Sequence, residues 1–399
     1  MNDDLFALEH RKQLTLRSGK ERLIANRHPW IFAGAIAKES GPADAAIADL
    51  VDQSGTRVAS GFHSPHSQIR MRALTFGAEE LTSQTIADRI QAAIARRKLF
   101  VNELTNAVRL VHADGDELSG LVIDRYNDVV VVEIANHGID RLRPLIIDVL
   151  CRELSPRGIY VKNDLPVRKL ERLTLESEWI GEGEPPTEIV ENGLRFHVDP
   201  AEGQKTGFFL DQRGNRALTR EYASGARVLN LFSYSGAFGV YAAAGGATSI
   251  ENVDVSAKAV ELAQTNHALN GLEANVRQTT ADAFGYVRKL ASERAQFDLV
   301  IVDPPAFAKS RGEVDRAARG YKDINLYAMK LLAPGGRILT FSCSGHVTSD
   351  LFQKIVFSAA LDAGKRMSFL RRLSAGPDHP VSLYCPEGEY LKGFLLQCD

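Results

Sequence analysis

The sequence predicts an α/β protein whose C-terminal half is a mostly parallel sheet covered by helices on both faces. Two observations lead there. From about residue 195 strand-like runs alternate with helix-like runs, a pattern that requires crossover connections and therefore parallel strands. Seven runs suit buried strands: "ARVLNLF" (226–232), "SIENVDV" (249–255), "VRQTT" (276–280), "FDLVIVD" (297–303), "GRILTFS" (336–342), "MSFLRRL" (367–373) and "YLKGFLLQC" (390–398). Between them, "SAKAVELAQTNHALNG" opens at a capping serine and stops at Gly271, and "INLYAMKLLAPGG" is expected to stop at Pro334.

The first 78 residues read as short strands and turns, a small barrel-like module. In "QIRMRALTF" (68–76), Ile69, Met71 and Ala73 alternate with Arg70, Arg72 and Leu74, which suits a half-buried strand. "LTSQTIADRIQAAIARRKLF" follows, with Thr82 or Ser83 as N-cap and Ile86, Ile90 and Ile94 one turn apart. Arg96, Arg97 and Lys98 at its end suit either a phosphate or the helix C-terminus. A hairpin in "GLVIDRYNDVVVVEIA", a helix in "DRLRPLIIDVLCREL" and a strand in "RGIYVKND" complete a compact α+β middle region. The acidic, Gly- and Pro-rich "GEGEPPTEIVENG" (181–193) marks a boundary, so the expected domains are 1–78, 79–192 and 193–399.

Ligands of an open α/β sheet sit beyond the carboxyl ends of its strands. The first strand ends in "LFSYSGAFG", with Gly236 and Gly239 at the turn into a helix. The second ends in Asp254, 18 positions after Gly236, where a carboxylate can bind a ribose diol, and Asp282 follows the third. The fourth ends in "DPPAF" (303–307), whose prolines hold Asp303 rigidly at the rim. The fifth ends in Cys343.

The glycine turn, the acid after the second strand and the Asp-Pro-Pro after the fourth resemble a Rossmann-like class I S-adenosylmethionine-dependent methyltransferase. An NAD-binding domain competes, but its fuller Gly-x-Gly-x-x-Gly is absent. "RHPWIFAGAI" (27–36) resembles a PUA RNA-binding module. "LSGLVIDRY" (118–126) and "EGQKTGFFLDQRGNR" (202–216) resemble the PUA-domain-containing methyltransferases that form 5-methylcytidine in bacterial 23S rRNA. The resemblance implies a PUA-like β-barrel, the middle α+β domain and a seven-stranded methyltransferase domain. It implies S-adenosylmethionine as cofactor and large-subunit ribosomal RNA as partner, and a homodimer would not be unusual in that family. The implied cofactor residues are Lys205, Thr206, Phe232, Ser233, Gly236, Gly239, Asp254, Ser256, Asp282, Asp303 and Pro304, with Cys343 and Asp303 catalytic.

Cytosine C5 is a poor nucleophile until a thiolate adds to C6, which is why such chemistry wants a cysteine. A fixed carboxylate beside the ring can hydrogen-bond N3 and the exocyclic amine as charge develops there. The loop after Asp-Pro-Pro carries Lys309, Arg311, Arg316, Arg319 and Lys322, cations that favour a thiolate or contact phosphate. Cys151, Cys385 and Cys398 read as structural, Cys151 and Cys398 as core. Many RNA 5-methylcytidine enzymes place a second cysteine after the Asp-Pro-Pro-type motif; here Ala306 follows Pro305, so the base that removes the C5 proton is unassigned. Two other readings stay open: an N-methyltransferase acting on a purine with Cys343 inert, and a non-catalytic RNA-binding assembly factor.

The bulk composition agrees with these readings without selecting among them. In 399 residues, 44% are hydrophobic and 25% charged, with a net charge of −2. No global basic excess argues for nucleic acid, so any such partner is held by a local patch. The four cysteines show no zinc-ligand spacing and are too few for a disulfide scaffold. No apolar run approaches the ~20 residues that span a bilayer, and "MNDDLFALEH" lacks a secretory pattern. The expected location is the cytoplasm, with no membrane partner and no metal.

Overall fold

A computed structural model describes residues 3–399. The chain forms two compact units. One contains the chain up to Thr187 together with Val198–Phe208 and Asp378–Gly388; the other contains Glu188–His197, Phe209–Pro377 and Glu389–Asp399.

The first unit holds a six-stranded sheet built from residues 12–76 and a five-stranded sheet from residues 107–181. The strand Ile69–Phe76 is buried on both faces rather than half-buried. Met71 and Ala73 join Leu14, Ile31 and Leu50 on one side, while Leu74 packs with Phe62, Ile86 and Ile90 on the other. The second face is covered by the helix Ser83–Arg97, whose N-cap is Thr82: its hydroxyl accepts the Thr85 N–H, and Thr85 returns the bond. Arg97 is not available to phosphate, because it lies buried in a two-pronged pair with Asp116 at 2.6 Å per bond, which Arg96 shares. Cys151 is also not core. The helix Arg143–Leu154 buries Leu145, Ile146, Val149 and Leu150, and Cys151 faces away, exposed.

The second unit carries the predicted sheet. Its strands are β1 (Arg227–Leu231), β2 (Ser249–Asp254), β3 (Val276–Thr280), β4 (Phe297–Val302), β5 (Leu332–Ser342), β6 (Met367–Ser374) and β7 (Lys392–Cys398). Their order is β3-β2-β1-β4-β5-β7-β6; β3 through β5 are parallel neighbours, and β7 runs antiparallel to both β5 and β6. The helices are α1 (Arg213–Tyr222), α2 (Ala237–Ala244), α3 (Ala257–Ala268), α4 (Ala283–Ser292), α5 (Val314–Lys330) and α6 (Ser349–Ala363). Central strands feed two cores. Leu229, Leu231, Val300 and Val302 face one way, and Val228, Leu299, Ile301, Leu339 and Phe341 the other. Each such fully buried side chain contributes about 1.5–3 kcal/mol.

Two boundaries differ from the sequence expectation. Helix α5 begins at Val314, so Arg316, Arg319 and Lys322 lie on its first turns rather than in a loop; the reciprocal Ser310–Glu313 capping box and the buried series Ala317, Tyr321, Ile324 and Ala328 explain the early start. Pro334 does not end that helix. It lies within β5, between the pairs Phe297–Leu332 and Leu299–Arg337, where the irregular register costs no ladder hydrogen bond.

Candidate active site

The chain order reverses between β1 and β4, which places the ends of β1, β2, β4 and β5 at one rim. After β1 the backbone enters the left-handed region at Phe232 (φ +58°), Tyr234 (+43°) and Gly236 (+68°). The two aromatic residues each store about 1 kcal/mol or more of strain there. The surroundings hold them. The Tyr234 N–H donates to Asp254 Oδ2 at 2.9 Å, the Ser233 N–H to the Val253 carbonyl at 3.0 Å, and the Gly236 N–H to the Ser233 carbonyl at 2.8 Å.

Asp254 is half-buried, and its Oδ1 accepts the Ser256 N–H at 2.9 Å. Each carboxylate oxygen thus takes one backbone donor and keeps lone-pair capacity for a diol. The Ser233 hydroxyl is buried with no partner among the described residues, a polar atom that a bound ligand would satisfy. A strained turn, a partly used carboxylate and an orphaned hydroxyl together fit the sugar end of a nucleoside cofactor.

The other cofactor candidates have visible structural duties. A Cβ on Gly236 would meet the Ala263 Cβ at 2.6 Å, and one on Gly239 would meet Asn252 Oδ1 at 2.4 Å, so both glycines let α2 seat closely on α3 and β2. Ser256 caps α3 through the Ala259 N–H at 3.3 Å, and the exposed Asp282 caps α4 through the Gly285 N–H at 2.8 Å. Lys205 and Thr206 belong to the first compact unit. Thr206 is buried there, donating to Asp124 Oδ2 at 2.6 Å and bonded to the Tyr126 hydroxyl at 2.7 Å; Lys205 is exposed.

At the β4 and β5 ends, Asp303 follows Val302 directly, and Cys343 follows Leu339 and Phe341 and packs on the face that they share with Leu299 and Ile301. Cys343 is half-buried against that cluster, and its S–H donates to the carbonyl of buried Pro304 at 3.7 Å. The thiol therefore sits one residue from Asp303 across the strand gap. Aromatic rings run along the same rim: Phe232 to Phe284 at 6.2 Å, Phe284 to Phe307 at 5.9 Å, and Phe307 to Tyr321 at 4.5 Å. A cavity of about 460 Å³ opens there, lined by Phe284, Ala306, Phe307, Lys309 and Arg316.

Two residues around Cys343, Tyr321 and Lys392, escaped the sequence reading. The Ser344 hydroxyl accepts the Ala308 N–H at 3.2 Å and bonds the Tyr321 hydroxyl at 2.9 Å, tying the Cys343 turn to the Asp-Pro-Pro loop and to α5. Lys392 lies buried beneath the turn and donates to the Ser344 and Val347 carbonyls at 2.8 and 2.7 Å. Its signal in the sequence was a lone lysine inside the apolar run "YLKGFLLQC".

In the first unit, His28, Cys385 and Glu387 cluster within 4.8 Å. The Trp30 N–H donates to His28 Nδ1 at 3.1 Å, which leaves the ring proton on Nε2, directed at Glu387 Oε2 at 3.3 Å. Burial, with Asp114 and Glu387 adding to it, pushes the Cys385 thiol far up. Glu387 thus links the His28 imidazole and the Cys385 thiol in one hydrogen-bonded chain.

Comparisons with known proteins bear on this geometry. A family model described as S-adenosylmethionine-dependent methyltransferase matches residues 164–387, and a PUA-like domain model matches residues 14–76. The ribosomal RNA large subunit methyltransferase I of Shewanella denitrificans is 43% identical over 96% of this chain and 99% of its own length. That of Tolumonas auensis is 44% identical over 96% of this chain and 98% of its own. The solved structure of SMU.776 complexed with SAH superposes with a TM-score of 0.84 at 24% identity, covering 96% of this chain and 99% of that one, a likeness of fold.

Proposed function

We propose that this chain, which belongs to the S-adenosylmethionine-dependent methyltransferases, methylates C5 of a cytidine in large-subunit ribosomal RNA through a covalent bond from Cys343. The observation that carries the reading is the Cys343 thiol at 3.7 Å from the carbonyl of Pro304, the residue that follows Asp303 in the chain. The names of the full-length relatives support the RNA, and the PUA-like match supports a surface that binds it. The three-part division at residues 78 and 192 is proposed with it, one part to grip RNA and the last to methylate. The work would be done in the cytoplasm, where ribosomal RNA is made in bacteria; among the described residues, no helix is long and apolar enough to cross a membrane.

The bound cofactor supplies an electrophilic methyl group on sulfonium. Asp254 and the Phe232–Gly236 turn bind its sugar end, with the Ser233 hydroxyl as a further partner and Asp282 at the edge. Cys343 attacks as the thiolate: an Sγ–C6 bond forms, and the C5=C6 π pair moves toward C5, C4 and N3. Asp303, as the carboxylic acid, donates to N3, where that charge collects, and accepts from the exocyclic amine. C5 then takes the methyl carbon, and the carbon–sulfur pair leaves with the thioether. Loss of the C5 proton restores C5=C6 and expels the Cys343 thiolate.

The test uses large-subunit RNA from cells lacking the enzyme. Incubation of 5-fluorocytidine-substituted RNA with the protein and S-adenosylmethionine should give an adduct that maps to Cys343, because fluorine at C5 cannot leave as a proton. Cys343→Ala should form none and should lose at least 10³-fold in methyl transfer. Full transfer by Cys343→Ala, or a methyl group recovered on a purine nitrogen by nucleoside mass analysis, would end the reading.

A further inference from the structure

We infer that Lys392 is the positioning residue for Cys343: from beneath the turn, its ammonium fixes the Cys343–Val347 backbone and favours the thiolate. The inference rests on the covalent reading above. Lys392 is the first residue of β7 and pairs with Ser342, the residue before the cysteine. Its side chain is 5% exposed, yet it carries a charge into the end of an apolar strand. Two of its three donors are spent on the carbonyls of Ser344 and Val347. Lysine is rarely buried unless a charge or a strict geometric need retains it.

The carbonyls explain the geometry but do not require a cation, since neutral donors serve carbonyls equally well. A thiolate one residue away is favoured by one. Burial holds the Lys392 ammonium below its usual value, and the charges of Cys343 and Glu389 oppose that fall. Burial raises the Tyr321 hydroxyl, which bonds Ser344 beside the thiol; the Ser342 and Ser344 hydroxyls oppose the rise, and Cys343 adds to it. The groups that set Cys343 ionisation are therefore Lys392 from β7, Glu389 before it, Tyr321 from α5, Asp303 after β4 and the exposed His346 on the turn itself. Among the described residues, Lys392 is the buried cation of that set, and the Glu389 carboxylate works against a thiolate. Lys392 is no candidate for the missing C5 base, because its ammonium is held on the Ser344 and Val347 carbonyls beneath the turn.

The test reads the thiol directly. The rate of Cys343 alkylation by iodoacetamide, followed by peptide mass analysis against pH, gives the midpoint of thiolate formation. Lys392→Met should move that midpoint up by about one pH unit or more, and Lys392→Arg should restore most of it. A folded Lys392→Met with an unmoved midpoint overturns the inference. A second measurement needs no variant at position 392: coupling is reciprocal, so blocking Cys343 in the wild-type protein should lower the Lys392 side-chain titration seen by NMR. An unmoved Lys392 titration overturns the inference even where Lys392→Met fails to fold. The 5-fluorocytidine adduct on wild-type protein is scored in parallel. No adduct with a shifted midpoint defeats the cytosine reading alone, and an adduct with an unmoved midpoint defeats the Lys392 role alone.

Discussion

Arg216→Met should be among the most damaging single changes in the second unit. Arg216 closes the "EGQKTGFFLDQRGNR" stretch, and its guanidinium meets Glu191 through two bonds of 2.7 Å. A third donor serves the Phe209 carbonyl at 2.9 Å. The two side chains are 2% and 0% exposed. Burial alone would lower the guanidinium, but Glu191 and its hydrogen bonds outweigh it and hold Arg216 above its ordinary value. Removing the arginine leaves a dry carboxylate with the Tyr241 hydroxyl, 3.0 Å away, as its remaining donor among the bonds described. Breaking a buried pair costs about 3–5 kcal/mol, whereas replacing both members by apolar groups costs little. At about 2–4 °C per kcal/mol for a unit of this size, the single variant should melt about 10 °C below wild type in a calorimetric scan at pH 7.5. Arg216→Met with Glu191→Leu should recover most of that loss. A single variant melting within 2 °C of wild type, or a double variant as poor as the sum of its parts, would refute the argument.

Two further outcomes follow from particular contacts. Gly239→Ala places a Cβ at 2.4 Å from Asn252 Oδ1, which accepts from Asn230 while Asn252 Nδ2 meets His267 Nε2 at 3.0 Å; the variant should lose about 1–3 kcal/mol in urea unfolding and bind S-adenosylmethionine more weakly by calorimetry, and unchanged values for both would count against the packing role. Burial pushes the Glu133 carboxyl up to about 7, with Arg109 opposing and Asp124 adding to the rise; its contribution is full below the unfolded value near 4.5 and is lost as pH rises through about 7, so Glu133→Gln should outlast wild type by on the order of 2 kcal/mol at pH 8.5 and match it at pH 4.5, with an equal gap at both pH values speaking against it.

Much of the rim was legible because a strand and the residue that ends it are neighbours in sequence. Asp254, Asp303 and Cys343 were each found by following one apolar run to its end, and the parallel order β1-β4-β5 sets the last two side by side. The errors share a cause as well. Cys151 was placed in the core because its flanks are apolar, but a helix buries by angle, and Leu150 rather than Cys151 faces inward. Arg97 suits either a phosphate or the helix C-terminus in sequence, and Asp116, nineteen residues on, removes the phosphate reading. The cations after Asp-Pro-Pro read as a loop because the apolar spacing of Ala317, Tyr321 and Ile324 was hidden among charges.

The sequence by itself determined the α/β class, the seven strands and the residues at their carboxyl ends, since hydrophobic period and terminal motifs are properties of short windows. Tertiary structure alone decided what surrounds those ends. Lys392 lies 49 positions after Cys343 in the chain, yet its ammonium holds the turn on which the thiol rides. Glu191 precedes the Arg216 that neutralises it by 25 positions. The "EGQKTGFFLDQRGNR" stretch is shared between the two compact units. Charge pairing and burial act through space at a few ångströms, and only the folded chain sets which distant residues stand that close.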